Sequence, residues 1–108
     1  MYKKGSLVLV PFPFTDLSGK KVRPAIVLSH SLRGQDIILA FISSEHKSKT
    51  THDVAIKKSL ENGLKVDSVI KCAKIATLDI RIIIGELGSV DTKVQRELDK
   101  NLKEILCL

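Results

Sequence analysis

The chain has few cysteines and no long apolar run, the features that mark disulfide-rich, metal-binding, membrane and secreted proteins. It contains only two cysteines, Cys72 and Cys107, which are far apart and have no second pair with which to form a disulfide framework or a metal site. No apolar run approaches the roughly 20 residues that span a bilayer. The hydrophobic run near the N-terminus is too short for a signal peptide and is interrupted by Pro11. We therefore expect a cytoplasmic protein that does not enter membranes, with reduced cysteines that pack as small apolar residues.

Internal repeats, low-complexity tracts and linkers are also missing from the sequence. The 108 residues are therefore expected to form a single domain, 1–108, with a modest core. Acidic residues are in the minority, because 12 Asp and Glu face 18 Lys and Arg, which leaves a formal charge of +6 at pH 7. This balance favours a polyanionic partner such as a nucleic acid, although many basic domains bind none.

Most of the secondary structure that the sequence predicts comes from short runs rich in Val and Ile, which are typical of strands. The first strand is expected to end before Pro11 and Pro13, since two prolines cannot continue a ladder. Asn62-Gly63 predicts a turn, and residues 52–56 alternate enough to form an edge strand. The predicted strands are residues 6–10, 24–29, 36–42, 52–56, 68–75 and 80–85.

The C-terminal part of the chain has helical periodicity. Ser89 is expected to cap this helix, with Asp91 in the first turn, where the helix dipole favours an anion. One apolar stripe, best explained by packing on a sheet, comprises Val94, Leu98, Leu102, Ile105 and Leu106. Short strands followed by one helix predict a mainly β fold, a small curled β-barrel closed by a C-terminal helix.

Arg23-Pro24 is the motif around which the functional prediction is built. Proline has no N–H donor and fixes φ, so we place Pro24 at the first residue of its strand. The residue before a proline is held extended, so Arg23 is expected at the rim of the sheet, where a rigid strand can fix a guanidinium. Arg23 can equally be a surface residue whose stem covers an apolar edge.

Two polar loops carry hydroxyls and cations, at residues 15–21 and 43–51. Such loops suit phosphate contact, but most charged runs are simply solvated. Phe14 precedes the first loop, and it either covers one end of the barrel or stacks on a base.

The chain also resembles a known family through an ordered series of motifs that covers most of its length. These motifs are Val10-Pro11-Phe12-Pro13-Phe14-Thr15-Asp16-Leu17-Ser18-Gly19, Arg23-Pro24-Ala25-Ile26-Val27-Leu28-Ser29, Gly63-Leu64-Lys65-Val66-Asp67-Ser68-Val69-Ile70, Ile75-Ala76-Thr77-Leu78-Asp79 and Ile84-Gly85-Glu86-Leu87. The series is similar to the MazF/PemK family of toxin endoribonucleases of type II toxin–antitoxin systems.

This resemblance implies a fold, an activity and partners. The fold is the SH3-like barrel with a C-terminal helix that CcdB, MazF and PemK toxins share. The implied activity is cleavage of single-stranded RNA, chiefly mRNA, by a homodimer that needs no metal or other cofactor. An acidic antitoxin is expected to block the site, and toxin and antitoxin together are expected to bind DNA.

The resemblance also assigns catalytic residues. The family's catalytic arginine falls on Arg23, and Ser43 stands where relatives commonly have a threonine. Serine keeps the hydroxyl but loses the methyl group that stiffens χ1, and Ser44 is an alternative donor. Glu45 replaces a neutral glutamine of some relatives, and its carboxylate would repel a phosphate.

The reaction expected of these residues is attack by the RNA 2′-hydroxyl, which leaves a 2′,3′-cyclic phosphate and a 5′-hydroxyl. His46 is the best placed histidine, but it matches no catalytic position of the family, and a solvated loop histidine is the commoner case. The residues expected to contact RNA are Phe14, Thr15, Lys20, Lys21, Ser44, Lys47 and Lys49.

Two other functions remain open on the sequence alone. The first is a non-enzymatic toxin that poisons DNA gyrase, as CcdB does with the C-terminal residues of its helix. The second is a catalytically weak relative that binds RNA or a partner, which the replacement at Ser43 and the charge of Glu45 favour.

Overall fold

The apolar, β-branched runs form the strands of one antiparallel sheet in a computed structural model, which describes residues 2–12, 21–29, 34–45 and 50–108. The sheet has six strands in the order β4-β5-β3-β2-β1-β6 and is followed by helix α1. The elements are β1 Ser6–Phe12, β2 Lys21–Val27, β3 Asp36–Ser43, β4 Val54–Ile56, β5 Ser68–Asp79, β6 Gly85–Ser89 and α1 Thr92–Leu106. The predicted mainly β fold with a C-terminal helix is confirmed.

The two faces of the sheet carry separate apolar clusters, because successive side chains of a strand point to opposite faces. The helix face includes Leu7, Ile26, Ala40, Ile42, Ile70 and Cys72, and α1 packs on it. The opposite face includes Val8, Val10, Ala25, Val27, Leu39 and Phe41. Both clusters are almost completely buried, so the central strands are apolar on both sides.

Curling brings the two edges of the sheet towards each other. Val54 of edge strand β4 and Val90, which follows edge strand β6, belong to the same cluster. The segment after β4 lies against β6, where the Ser89 N–H donates to the Glu61 carbonyl at 2.8 Å. The predicted turn is present here, with Gly63 at a φ of +71°. The sheet is therefore a half-barrel that this segment helps to close.

Helix α1 packs through the predicted stripe, but its cap differs from the prediction. The cap is Asp91, whose side chain accepts from the Val94 N–H at 2.9 Å, while Ser89 is the last residue of β6. Leu98 is fully buried, and Leu106 is half exposed. The partly buried members that pack on the helix face are Val94, Leu102 and Ile105.

The prediction that prolines end or begin their strands is wrong at two positions. Pro11 lies within β1 and pairs with Val22, and Pro24 is in the middle of β2, paired with Leu9. The Leu9 carbonyl accepts from the Ile84 N–H at 2.8 Å, so the backbone polar groups of Leu9 point towards β6. Those of Pro11 point the same way, because residues two apart in a strand direct their backbone polar groups to the same side. Pairing with β6 ends at Leu9, and the missing N–H of Pro11 therefore faces an unpaired edge, where proline is tolerated.

Pro24 is tolerated for the same reason on the other side of β2. Its N–H position faces β3, and pairing between β2 and β3 begins only at Ala25. Arg23 is extended, as predicted, but a ladder to Val10 of β1 holds it rather than a strand end.

The predicted strand at residues 80–85 is also wrong. Ile80–Ile82 is a single 3₁₀ turn, and β6 begins only at Gly85. The Asp79 carboxylate accepts from the Arg81 backbone N–H at 2.8 Å and pairs with its guanidinium at the same distance, which caps the turn. This local capping overrides the strand propensity of isoleucine. The remaining predicted strands exist with shifted ends.

Candidate active site

The site is built where β2 and β3 separate. Their last pair is Ala25 with Phe41, whereas β1 continues to pair with β2 as far as Lys21. Beyond that last pair a groove of about 520 Å³ opens between the two strands. Residues of both strand ends line it, together with the segment that follows the Gly63 turn.

Arg23 lines this groove from β2. The side chain is half-buried, and its Nε atom has no exposed surface. Because a strand ladder fixes its backbone, the guanidinium is attached to a rigid part of the sheet. This arrangement fits the predicted role, in which a planar, permanently charged fork meets phosphate oxygens.

Ser43 is the residue of β3 that stands opposite Arg23 of β2 when the strand register is extended. The antiparallel register pairs Ala25 with Phe41, so two residues further along each strand Arg23 and Ser43 stand across from each other on the same face. The Ser43 Oγ accepts from the Glu45 N–H at 3.0 Å. Ser43 is half-buried and does not line the groove itself.

Ser44 and Lys21 are the other predicted residues that the structure brings to this place. Both are exposed and line the groove. Glu45 is exposed directly after Ser44, so a carboxylate does lie next to the predicted phosphate contacts. Five predicted RNA contacts lie outside the described residues, namely Phe14, Thr15, Lys20, Lys47 and Lys49.

Sequence reasoning missed one cation and an apolar wall. Lys65 lines the groove, as do Leu9, Leu64 and Leu87, and the last two also pack against the helix-face cluster. Lys65 lies in one motif of the family resemblance, which assigned it no role, and only the curl of the sheet brings its segment to the groove. A cationic groove with an apolar wall can hold a phosphate beside an unstacked base.

The described histidine lies away from the groove. His52 pairs through Nε2 with Glu104 of α1 at 3.0 Å, and its carbonyl accepts from Asn101 Nδ2 at 2.9 Å. His30 and His46 lie outside the described residues. The described ranges contain no group of three or more His, Cys, Asp or Glu side chains that could hold a metal ion.

Both cysteines are free, as expected. Cys72 is buried in the helix-face cluster, and burial raises the pKa of its thiol to about 11, so it stays protonated and unreactive at neutral pH. Cys107 is exposed. No helix in the described part of the chain is long and apolar enough to cross a membrane.

Comparison with family models matches residues 3–106 to the PemK-like, MazF-like toxin of type II toxin–antitoxin systems. The chain belongs to this family. The match includes both strands that carry Arg23 and Ser43, as well as helix α1. Comparison with curated protein sequences gives no match.

Solved structures of similar fold cover nearly the whole chain. MazF from Deinococcus radiodurans is 21% identical with a TM-score of 0.79, covering 99% of this chain and 97% of its own. An endoribonuclease in complex with its cognate antitoxin, from a mycobacterial species, is 17% identical with a TM-score of 0.78, covering 100% and 97%. The Mycobacterium tuberculosis toxin MazF-mt6 is 16% identical with a TM-score of 0.76, covering 95% and 97%. The fold of this chain is therefore that of MazF-like toxins.

Proposed function

We propose that this toxin is an endoribonuclease that cleaves single-stranded RNA without a metal ion. The observation that carries the proposal is that Arg23 lines the groove at the end of β2 and stands, in the strand register, across from Ser43 of β3. Family membership supports it, because structures of the same fold are named as endoribonucleases.

In the proposed reaction the RNA 2′-hydroxyl attacks the adjacent phosphorus. The 5′-oxygen of the next nucleotide leaves, so the products are a 2′,3′-cyclic phosphate and a 5′-hydroxyl. Negative charge grows on the phosphoryl oxygens in the transition state, and fixed donors aimed at them lower its free energy. Arg23 supplies the fixed cation, and Ser43 supplies a hydroxyl that binds the phosphate or the 2′-oxygen.

The guanidinium acts mainly through its charge. Arginine side chains stay protonated at neutral pH, so Arg23 is unsuited to act as a general base. Proton donation to the leaving oxygen is a secondary role, and the substrate phosphate or a water carries protons where no side chain does.

Substrate binding is proposed to follow from the groove's composition. Lys21 and Lys65 contact phosphates on either side of the scissile bond, Ser44 donates to the RNA backbone, and the apolar wall receives an unpaired base. Because the lysine contacts release counterions, binding weakens as salt rises.

The proposed partners are a second copy of the chain and an acidic antitoxin. A net charge of +6 suits an acidic segment laid across the groove. The two MazE–MazF structures from Deinococcus radiodurans, 22% identical in the toxin chain, and the mycobacterial complex support an antitoxin partner. A cytoplasmic location belongs to the proposal because mRNA is found there.

The decisive test is cleavage of an unstructured RNA by purified protein in EDTA. We expect cleavage with cyclic phosphate ends, a loss of about 100- to 1000-fold on Arg23→Ala, and smaller losses with Arg23→Lys, which keeps the charge without the fork. Arg81→Ala is the matched control, because this arginine pairs with Asp79 on an exposed turn away from the groove.

Two results would contradict the proposal. One is absence of cleavage at high enzyme concentration. The other is equal cleavage by the Arg23→Ala variant and the unmodified protein. Inactivity together with capture of DNA gyrase from expressing cells would favour the gyrase-poisoning alternative. Activity that appears only with Ser43→Thr would favour the catalytically weak relative.

A further inference from the structure

A buried ion pair, Asp53 with Lys71, does not line the groove and has no part in the proposed chemistry. The Lys71 Nζ is 2.8 Å from the Asp53 Oδ2, and the two side chains are only 11% and 4% exposed. The same Asp53 oxygen accepts from the Thr50 N–H at 2.9 Å. Replacing such a pair with apolar residues is often neutral or stabilising, so stability alone does not explain why the charges are buried here.

The pairing register places this ion pair beside the site. Phe41 of β3 pairs with Lys71 of β5. Val54 of β4 pairs with Ile70, and one step further along the same register Asp53 stands opposite Lys71. Phe41, Lys71 and Asp53 therefore form one row across three neighbouring strands.

The next row across the sheet is the row of the proposed catalytic residues. Ser43 pairs with Val69 of β5, and Arg23 stands across from Ser43 on the other side. Residues two apart in a strand lie on the same face about 6.6 Å apart. The ion pair is thus on the same face of the sheet as Arg23 and Ser43, one row away.

The connection between β3 and β4 is attached to β5 at both ends. It begins at Ser44, directly after Ser43 has paired with Val69, and it ends at Asp53, which is held by Lys71. Thr50 is held by the same carboxylate. Both ends of the connection are therefore held by the same strand, at Val69 and at Lys71, which lie two residues apart.

We propose that Asp53 and Lys71 are positioning residues, which set the place of the Ser43 hydroxyl and of Ser44 relative to Arg23. This inference rests on the proposed ribonuclease function. Burial works to raise the pKa of Asp53, but hydrogen bonds from Lys71 and Thr50 bring it below its ordinary value. The carboxylate is therefore ionised at neutral pH, and the pair acts as a rigid, charge-balanced brace.

The test compares Asp53→Asn, Lys71→Met and the double variant in steady-state cleavage of RNA, at a temperature where circular dichroism shows each to be folded. A displacement of about 1 Å in a catalytic group costs about 100-fold in rate. We therefore expect kcat to fall about 10- to 100-fold while KM changes far less, and Lys71→Arg to recover part of the loss.

Asp99→Asn is the matched control. It makes the same chemical change in another ion pair, Lys4 with Asp99 at 2.7 Å, which is about 40% exposed on each side. This variant should cleave like the unmodified protein. Equal kcat per folded molecule for Asp53→Asn and Asp99→Asn would overturn the inference and leave the brace a purely structural feature.

Amide hydrogen exchange tests the same coupling without RNA. The Thr50 N–H donates to Asp53 and the Glu45 N–H donates to Ser43 Oγ. We expect Asp53→Asn to speed exchange at both amides, because both ends of the connection loosen together. Faster exchange at Thr50 alone would overturn the inference even if the protein cleaves RNA. Absence of cleavage by the unmodified protein would instead overturn the proposed function.

Discussion

The two ends of strand β2 differ in what surrounds them. At the packed end, Ala25–Val27, each residue is fully buried and pairs with β3, and most pair with β1 as well. At the open end, Lys21–Pro24, the strand pairs only with β1 and its residues line the groove. A single strand of seven residues thus contributes both to the core and to the candidate site.

This difference explains how the backbone of the site can be rigid while the groove beside it stays open. The packed end fixes the strand between two neighbours, and the open end extends from it as a short, one-sided ladder. Pro24 separates the two, since its missing N–H faces the side on which β3 does not pair. We therefore expect substitutions at the packed end to change stability, and substitutions at the open end to change activity.

The largest expected effect is on stability, at the packed end. Ile26→Ala removes a fully buried side chain from the helix-face cluster and should lower the free energy of unfolding by about 2–5 kcal/mol. Guanidinium denaturation measures this, with Val22→Ala, half exposed at the open end, as a control that costs about 0.5 kcal/mol or less. Equal costs for the two variants would remove the distinction between the ends.

The next effect is on activity, at the open end. Ser43→Ala should lower kcat by about 100-fold, the typical cost of losing one donor to a developing anion. Ser44→Ala, whose residue lines the groove, should mainly raise KM, and Ser43→Thr should be active. Steady-state cleavage of a short RNA separates these outcomes. A kcat loss at Ser44 with none at Ser43 would transfer the catalytic role to Ser44.

The third effect concerns the segment that closes the half-barrel beside the groove. A Cβ added at Gly63 would lie 2.2 Å from the Leu87 carbonyl oxygen, at a φ of +71°. Gly63→Ala should therefore cost more than the roughly 1–3 kcal/mol of backbone strain alone. Gly34→Ala is the matched control, because Gly34 has a similar φ of +89° and its added Cβ would meet no atom of the described residues within 4 Å, its chain neighbours aside. Equal costs in thermal unfolding would mean that the close approach does not exist.

The fourth effect concerns the helix that covers the packed end. Asp91→Ala removes the side chain that caps α1 and should cost about 0.5–2 kcal/mol. Ser89→Ala should cost about 0.5 kcal/mol or less, because the Ser89 contact to Glu61 is made by its backbone. A larger loss at Ser89 in thermal unfolding would restore the cap predicted from the sequence.

The smallest effect appears only at alkaline pH. The Cys72 thiol keeps its proton up to a pKa of about 11 in the folded state, against an ordinary value of 9.0. The unfolded chain binds fewer protons between these values, so the free energy of unfolding should fall as pH rises through them. Cys72→Ala should remove this slope and Cys107→Ala should not. An unchanged slope in Cys72→Ala would place its origin elsewhere.

Much of the fold was predictable because binary patterns report burial directly. The runs that became β1 and β3 are apolar enough to require cover on both faces, and the stripe through Leu98 required a surface to pack on. The errors at Pro11, Pro24 and residues 80–85 share one cause. A proline disrupts a strand only if its missing N–H faces a neighbouring strand, and an isoleucine-rich segment forms a strand only if a neighbouring strand can pair with it. The local sequence does not show where the neighbouring strands lie.

The candidate site was predictable only in part. Arg23 and Ser43, the last residue of β3, were recognised from motifs, and the strand register puts them across from each other at the open end. Their roles stay predictions. No role was predicted for Lys65, the apolar wall or the Asp53–Lys71 pair, because their positions depend on strand pairing and on the curl of the sheet, which bring together residues that lie far apart in the sequence.

The sequence by itself determined the mainly β fold, the amphipathic final helix and the family to which the chain belongs, because periodicity and motif order are local properties. Only the tertiary structure decided where the β2 and β3 ladder stops, which segment lines the groove together with the end of β2, and which buried charges lie one row away from Arg23 and Ser43. Those features depend on strand register and on the curl of the sheet, which bring distant residues into contact.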